Sequence, residues 1–171
     1  QELKNAMDKL EELAKEQEQL SDETSKSKES QEELKEKQEE IDKQFQEFKE
    51  QMEQIEKKNE QLENQKDLGN PQEEMKDIQR DINESKMNLQ QNKNSKASQS
   101  QKNASQKMKD MANNMNMKMQ SGQMEQMMED MQALRQLLEN LVGLSFDQED
   151  LIKNLDKTEI NTPRYTELVE E

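Results

Sequence analysis

The chain has no cysteine, no histidine and no tryptophan. Without cysteine there are no disulfides and no thiolate nucleophile. Without histidine the commonest general base is gone, and with both missing so are the usual zinc ligands. Carboxylates are plentiful, but acid–base work by a carboxylate pair needs a shielded cleft, so we expect neither catalysis nor a metal or cofactor site. Three glycines and two prolines cannot supply a Gly-rich phosphate loop. No apolar run approaches the length of a membrane span, and no secretory signal is visible. Hydrophobic residues make up 27% and aromatics 2% of 171 residues, too little for one globular core of that size.

Charge is abundant instead, at 38% of residues with a net of −15. That excess opposes nucleic acid and anionic lipid, so neither is expected as a direct partner. A 3.5-residue apolar period then decides between disorder and helix. One heptad register runs from Leu3 to Leu62, with Ala6, Leu13, Leu20, Ser27, Leu34, Ile41, Phe48, Ile55 and Leu62 at d, and Leu3, Leu10, Phe45 and Met52 among the a positions. As one helix this would be about 90 Å long, with a stripe too narrow for anything but another helix. The fold class is all-α, and the pattern predicts an elongated antiparallel coiled-coil hairpin in which a third helix forms a local three-helix bundle.

The boundaries follow from helix signals. A long first helix is predicted over 1–66, then a hinge at 67–71, where Gly69, Asn70 and Pro71 combine a stop, a cap and a first-turn proline. A basic second helix follows over 72–120, with Met75, Ile78, Ile82 and Leu89 and then Met108, Met111 and Met115 in its seam. Between them lies NKNSKASQSQKNASQK, which reads as a polar linker or as a continuous helix with a slim seam of Ala97 and Ala104; the continuous helix is expected. A turn at 121–123, hinged on Gly122, precedes a third helix over 124–157, broken near 143–145. Its seam carries Met124, Met127, Met131, Leu134, Leu138 and Leu141, widened by Met128, Leu137 and Val142. Ser145 to Gln148 has capping-box spacing ahead of Leu151, Ile152 and Leu155. Residues 158–171 read as a loop and the start of a further helix, as expected of a piece of a longer protein.

Charge points to which helices pair. Residues 1–68 hold 22 acids and 12 bases, residues 69–120 hold 6 and 9, and residues 121–171 hold 12 and 4. Folding about Gly69 sets the basic window, including Lys86, Lys93, Lys96, Lys102, Lys107 and Lys109, against the acidic first helix, whereas a parallel homodimer would set acid against acid. The competing reading is solvated faces of uneven composition. A homo-oligomer stays open as the second choice. Gln17, Thr24, Gln31 and Gln38 occupy four successive a positions, which specify register or mark where a third helix is needed.

Nine of thirteen methionines fall between Met108 and Met131. Three readings apply: a packing seam in which Met replaces Leu, an adaptable groove for a partner helix, or a soft copper(I) site around Met115, Met117 and Met119. Helical spacing favours the seam, and no metal residues are assigned. Asn83-Glu84-Ser85 and Asn103-Ala104-Ser105 match the glycosylation sequon, a pattern frequent by chance here. Phe146 and Tyr165 are candidate partner anchors, but local packing is the expected role.

The stretch ALRQLLENLVGLSFDQEDLIKNL, residues 133–155, followed by NTPRYTELVEE, resembles a family of large, uncharacterised bacterial membrane-anchored proteins with a long Gln-, Glu- and Lys-rich helical region. The resemblance covers about the last forty residues. It implies a cell-envelope setting and brings no catalytic residues. The expected function is a structural and interaction module, a spacer or scaffold whose partners are helices of its own chain, of the parent protein or of another protein. The alternative is a Met-rich binding module for an apolar helix or a soft metal.

Overall fold

Ser30 explains the first departure from the expected architecture. Its hydroxyl accepts from the Glu33 backbone N–H at 3.3 Å while the Glu33 carboxylate accepts from the Ser30 N–H at 2.9 Å, a reciprocal capping box that starts a new helix. The computed structural model describes residues 1–26 and 29–158. These residues form α1 (Glu2–Lys26), α2 (Gln31–Glu60), α3 (Pro71–Gln90) and α4 (Asn94–Asp156), with no strand among them. The expected single helix over 1–66 is therefore two helices, and the second ends at Glu60 rather than near 66. The heptad register passes through the break because α1 and α2 each bury their own stretch of it. Helix periodicity reports a face, and carries no information on whether the chain reverses between two turns.

The chain divides into two compact units, Gln1–Gly122 and Gln123–Glu171. In the first, cross-helix contacts set every neighbour antiparallel. Lys58 meets Glu2 at 2.6 Å and Lys9 meets Glu47 at 3.1 Å between α1 and α2. Lys86 meets Asp42 at 2.7 Å between α2 and α3. Lys107 meets Asp81 at 2.6 Å between α3 and α4, and Lys109 meets Glu18 at 2.6 Å between α1 and α4. This is an up-down-up-down bundle of four helices, the fourth being the first part of α4. The third helix that the polar a positions called for is α3, and residues 94–119 add a fourth; these, and not the expected residues 124–157, complete the polar layer.

Two further boundaries differ. The expected helix over 72–120 breaks at Gln91–Lys93: Asn92 takes the left-handed conformation (φ 54°), its N–H donates to the Leu89 carbonyl at 3.1 Å, and the Lys93 N–H donates to the Asn88 carbonyl at 2.8 Å. That paired geometry closes a helix end as glycine usually does, with asparagine tolerating the same backbone. In contrast, α4 is helical through 121–123 and 143–145, where a turn at Gly122 and a break were expected. Gly69, at φ 76°, lies in the connection between α2 and α3, and Asn70 and Pro71 sit at the N-cap and first position of α3. Tyr165 and the further helix expected within 158–171 lie outside the described residues beyond Thr158.

The core follows from the seam. Leu13, Leu20, Leu34, Ile41, Phe45, Phe48, Met52, Ile55, Ile78, Ile82, Leu89, Met108, Met111 and Met115 are all buried, joined by Ala6, Met7, Leu10, Met75, Ala97 and Ala104. Phe45 and Phe48 stack with ring centroids 5.8 Å apart. The Asn- and Ser-rich stretch packs through its small residues. Ser105 donates to the Ala14 carbonyl at 2.7 Å, Ser21 donates to the Ser98 carbonyl at 2.8 Å, and Ser98 donates to the Ser21 carbonyl at 2.9 Å. Hydroxyls bonding a neighbour's backbone require the two helices to approach closely, which larger side chains would prevent. Leu62, assigned to the seam by register, is 48% exposed because α2 has already ended.

Burial decides the expected mutational contrast. Ile82→Ala should cost about 2–5 kcal/mol in chemical denaturation, whereas Leu62→Ala should fall within about 0.5 kcal/mol of the parent chain. Similar costs at both positions would contradict this placement of the core.

Candidate functional site

Two features stand out from the bundle's apolar packing, one inside it and one on the second unit. Inside, each of the four helices contributes one polar side chain to a single buried layer: Gln17, Gln38, Ser85 and Gln101. The Gln17 and Gln38 amides bond reciprocally, at 3.1 and 2.9 Å. The Gln38 Oε1 also accepts from Ser85 Oγ at 2.7 Å and from Gln101 Nε2 at 3.0 Å. One oxygen thus ties all four helices together at one level. Nearby, Gln31 donates to the Leu89 carbonyl at 2.7 Å, and Thr24 completes the run of buried or half-buried polar a positions.

Ion pairs flank the layer. Lys86 lies 2.7 Å from Asp42 and 3.5 Å from Glu39. Burial pushes the Asp42 carboxyl up, but donation from Lys86 and Gln79, together with the Lys86 charge, outweighs it and leaves the pKa below the ordinary aspartate value. The same hydrogen bond with Asp42, against the opposing effect of burial, raises Lys86 above the usual lysine value. At the turn between α1 and α2, Lys37 bridges Glu23 at 2.8 Å and Glu29 at 2.6 Å, and its donation holds Glu23 below the usual carboxylate range. Asp67 pairs with Lys118 where the bundle closes, and Lys118 with Gly69's N–H depresses its carboxyl likewise. These contacts orient helices. The furrow between α2 and α3, about 1220 Å³, is open and lined by charged and amide side chains such as Lys49, Glu53, Lys76 and Arg80, not by the apolar walls typical of small-molecule sites.

The second unit differs in kind. Met124, Met127, Met128, Met131, Leu134, Leu137, Leu138, Leu141, Val142 and Leu144 are between 52% and 66% exposed. Six of these, Met124, Met127, Met131, Leu134, Leu138 and Leu141, are the expected packing seam of the third helix, and all six are exposed. Phe146, at 63% exposed, does not pack locally either. The register explains the change: buried Ala97, Ala104 and Met111 repeat every seven residues, and that series continues to Lys118 and Glu125, not to Met124 and Met131. The bundle's seam therefore ends in sequence before the second stripe begins. Of the methionines proposed for a soft metal, Met115 is buried, Met119 is half-buried against the core and Met117 is exposed, so the three do not converge. Among the described residues no group of three or more Asp or Glu is arranged to hold a metal.

The buried layer yields two expectations. Gln38→Leu should lose about 1–3 kcal/mol by denaturant unfolding, since Ser85 and Gln101 lose their acceptor, and replacing all four layer residues by apolar ones should recover most of it. A harmless single substitution would contradict the network. For Asp42, a depressed folded pKa means stability that is present above its ordinary value of about 4 and lost as pH falls through the folded value. Between about pH 5 and pH 3 the parent chain should lose more stability than Asp42→Asn, and parallel pH profiles would rule this out.

Comparison with known protein families, with characterised proteins and with solved structures finds no match to this chain.

Proposed function

We propose that the chain is a non-catalytic scaffold and interaction module, in which a self-sufficient bundle of four helices displays a docking helix. The single observation that carries this reading is the contrast within α4. Its first part buries Ala97, Ala104, Met108 and Met111 completely, and its second leaves ten Met, Leu and Val side chains from Met124 to Leu144 more than half exposed. Contiguous apolar exposure of this extent marks an interaction face, because leaving it in water forfeits the burial that stabilises every other helix of the chain. Four of the ten are methionine, whose unbranched side chains suit varied partner surfaces.

A spacer or scaffold role also fits the composition. The absence of histidine and cysteine removes the commonest general base and the thiolate nucleophile, and the furrow between α2 and α3 is open and lined mainly by charged and amide side chains. The antiparallel pairing reads as coiled-coil packing, with the acidic α1 and α2 facing Lys86 and Lys109. A cell-envelope parent is supported by the resemblance of residues 133–155 and 161–171. No helix among the described residues is long and apolar enough to cross a membrane, and this reading assigns the segment no membrane contact. The soft-metal alternative has less support, since Met115, Met117 and Met119 face different environments.

A docking face makes a specific demand. Changing Met127, Met131, Leu134 and Leu138 together to Gln should abolish retention of partner chains, including copies of itself, by the immobilised protein. Helix content and the melting of unit Gln1–Gly122 should stay the same. Equal retention by the variant would refute the role of this face.

A further inference from the structure

The exposed face of α4 carries its own charge code. In the heptad that fits the stripe, Met124, Met131, Leu138 and Ile152 take a, and Met127, Leu134, Leu141 and Leu155 take d. Apolar residues also fill much of the flanks, with Leu137, Leu144 and Leu151 at g and Met128 and Val142 at e. Between Met124 and Val142 the only charged flanking residues are Asp130 at g and Arg135 at e. They are opposite in sign and five residues apart.

That spacing is informative because in a parallel pair each g residue lies beside the e residue five positions further along the partner helix. Two copies of this helix, parallel and in register, would set Asp130 beside the partner's Arg135, twice by symmetry, and Leu137 beside the partner's Val142. The other acids of this stretch, Glu125, Glu129 and Glu139, occupy b and f positions that face away from such a seam. An antiparallel pair sets g against g and e against e, so Asp130 and Arg135 never meet. Arg135 does contact Glu139 within its own helix, but at 3.6 Å with side chains 82% and 72% exposed, a loose pair that leaves guanidinium donors free to reach another chain.

We infer that the docking face on α4 is a self-association surface, occupied by a second copy of this chain in parallel, in-register orientation. Resting on the docking reading above, this names its partner. The a and d residues supply affinity, and the Asp130–Arg135 pairs select the partner's direction and register. The apolar g and e positions add a second ring of contacts outside the seam. Ser145 at a and Gln148 at d soften the middle of the interface before Ile152 and Leu155 resume it.

Sedimentation of the full chain at micromolar concentration tests this directly. The chain should associate, and Leu134→Gln with Leu138→Gln should render it monomeric without loss of helix. Asp130→Arg should weaken association roughly three- to tenfold, and adding Arg135→Asp should restore it. Because the chain has no native cysteine, a Ser145→Cys variant carries a single thiol at an a position, and mild oxidation should link it covalently into dimers. A monomeric parent chain overturns the inference, as does an assembly that neither cross-links at position 145 nor recovers with the double charge swap. If the chain is monomeric yet the Gln variants of the previous test lose a different protein, the docking reading stands and only its occupant changes. If they lose nothing, both fall.

Discussion

A single buried carbonyl oxygen, Oε1 of Gln38, sets the register of the bundle. It accepts from Gln17, Ser85 and Gln101, one donor from each of the other three helices. Apolar layers above and below would tolerate a slip of one heptad, because Leu, Ile and Met exchange places at small cost. The amide layer does not tolerate it, since a shifted helix would leave a polar group buried without a partner. Gln101 shows how tightly the layer is filled: its amide nitrogen bonds Gln38, and its Oε1 finds no partner among the described residues. The close approach of α1 and α4 through Ser21, Ser98 and Ser105 depends on the same alignment, as does the pairing of Lys86 with Asp42.

Much of this was legible in the sequence, and what was not has definite causes. The heptad seam marked Leu13 through Ile55 as inward facing, because side-chain period survives any change in chain direction. For the same reason it hid the reversal between α1 and α2. The Ser30-Gln31-Glu32-Glu33 signature of a helix start was present, but the unbroken register around it argued for continuity. Asn92 closes α3 with a left-handed residue that is not glycine, so the end fell inside a stretch that resembled one weak helix. The reverse error occurred at Gly122 and Gly143: glycine suggested breaks, but inside a long helix with strong neighbours each costs only about 1 kcal/mol and the helix continues.

The four polar a positions show what the sequence holds and what only the fold reveals. Gln17 and Gln38 were visible as a weakness in a two-stranded seam, and as a place that wanted more neighbours. Their partners Ser85 and Gln101 lie on the heptad series of Ile78 and of Met108 and Met115, so they too are polar residues at seam positions, but that the four meet in one layer follows only from the pairing of the helices. The exposed stripe of α4 presents the opposite case. Its apolar spacing was plain, but spacing states only that a face will be covered, and not by what. That Met124 to Leu144 are exposed accords with the end of the bundle's seam near Met115 and Met119, which only the pairing of the helices could locate.

One helix therefore serves two ends, closing a bundle with its first part and offering an uncovered apolar face with its second. Residue-resolved hydrogen exchange across a dilution series tests that division most directly. The account predicts slow, concentration-independent exchange for the amides of α1, α2, α3 and residues 97–115, with residues 124–152 fast when dilute and slower as concentration rises. Uniformly slow exchange along all of α4 at the lowest concentration would contradict it.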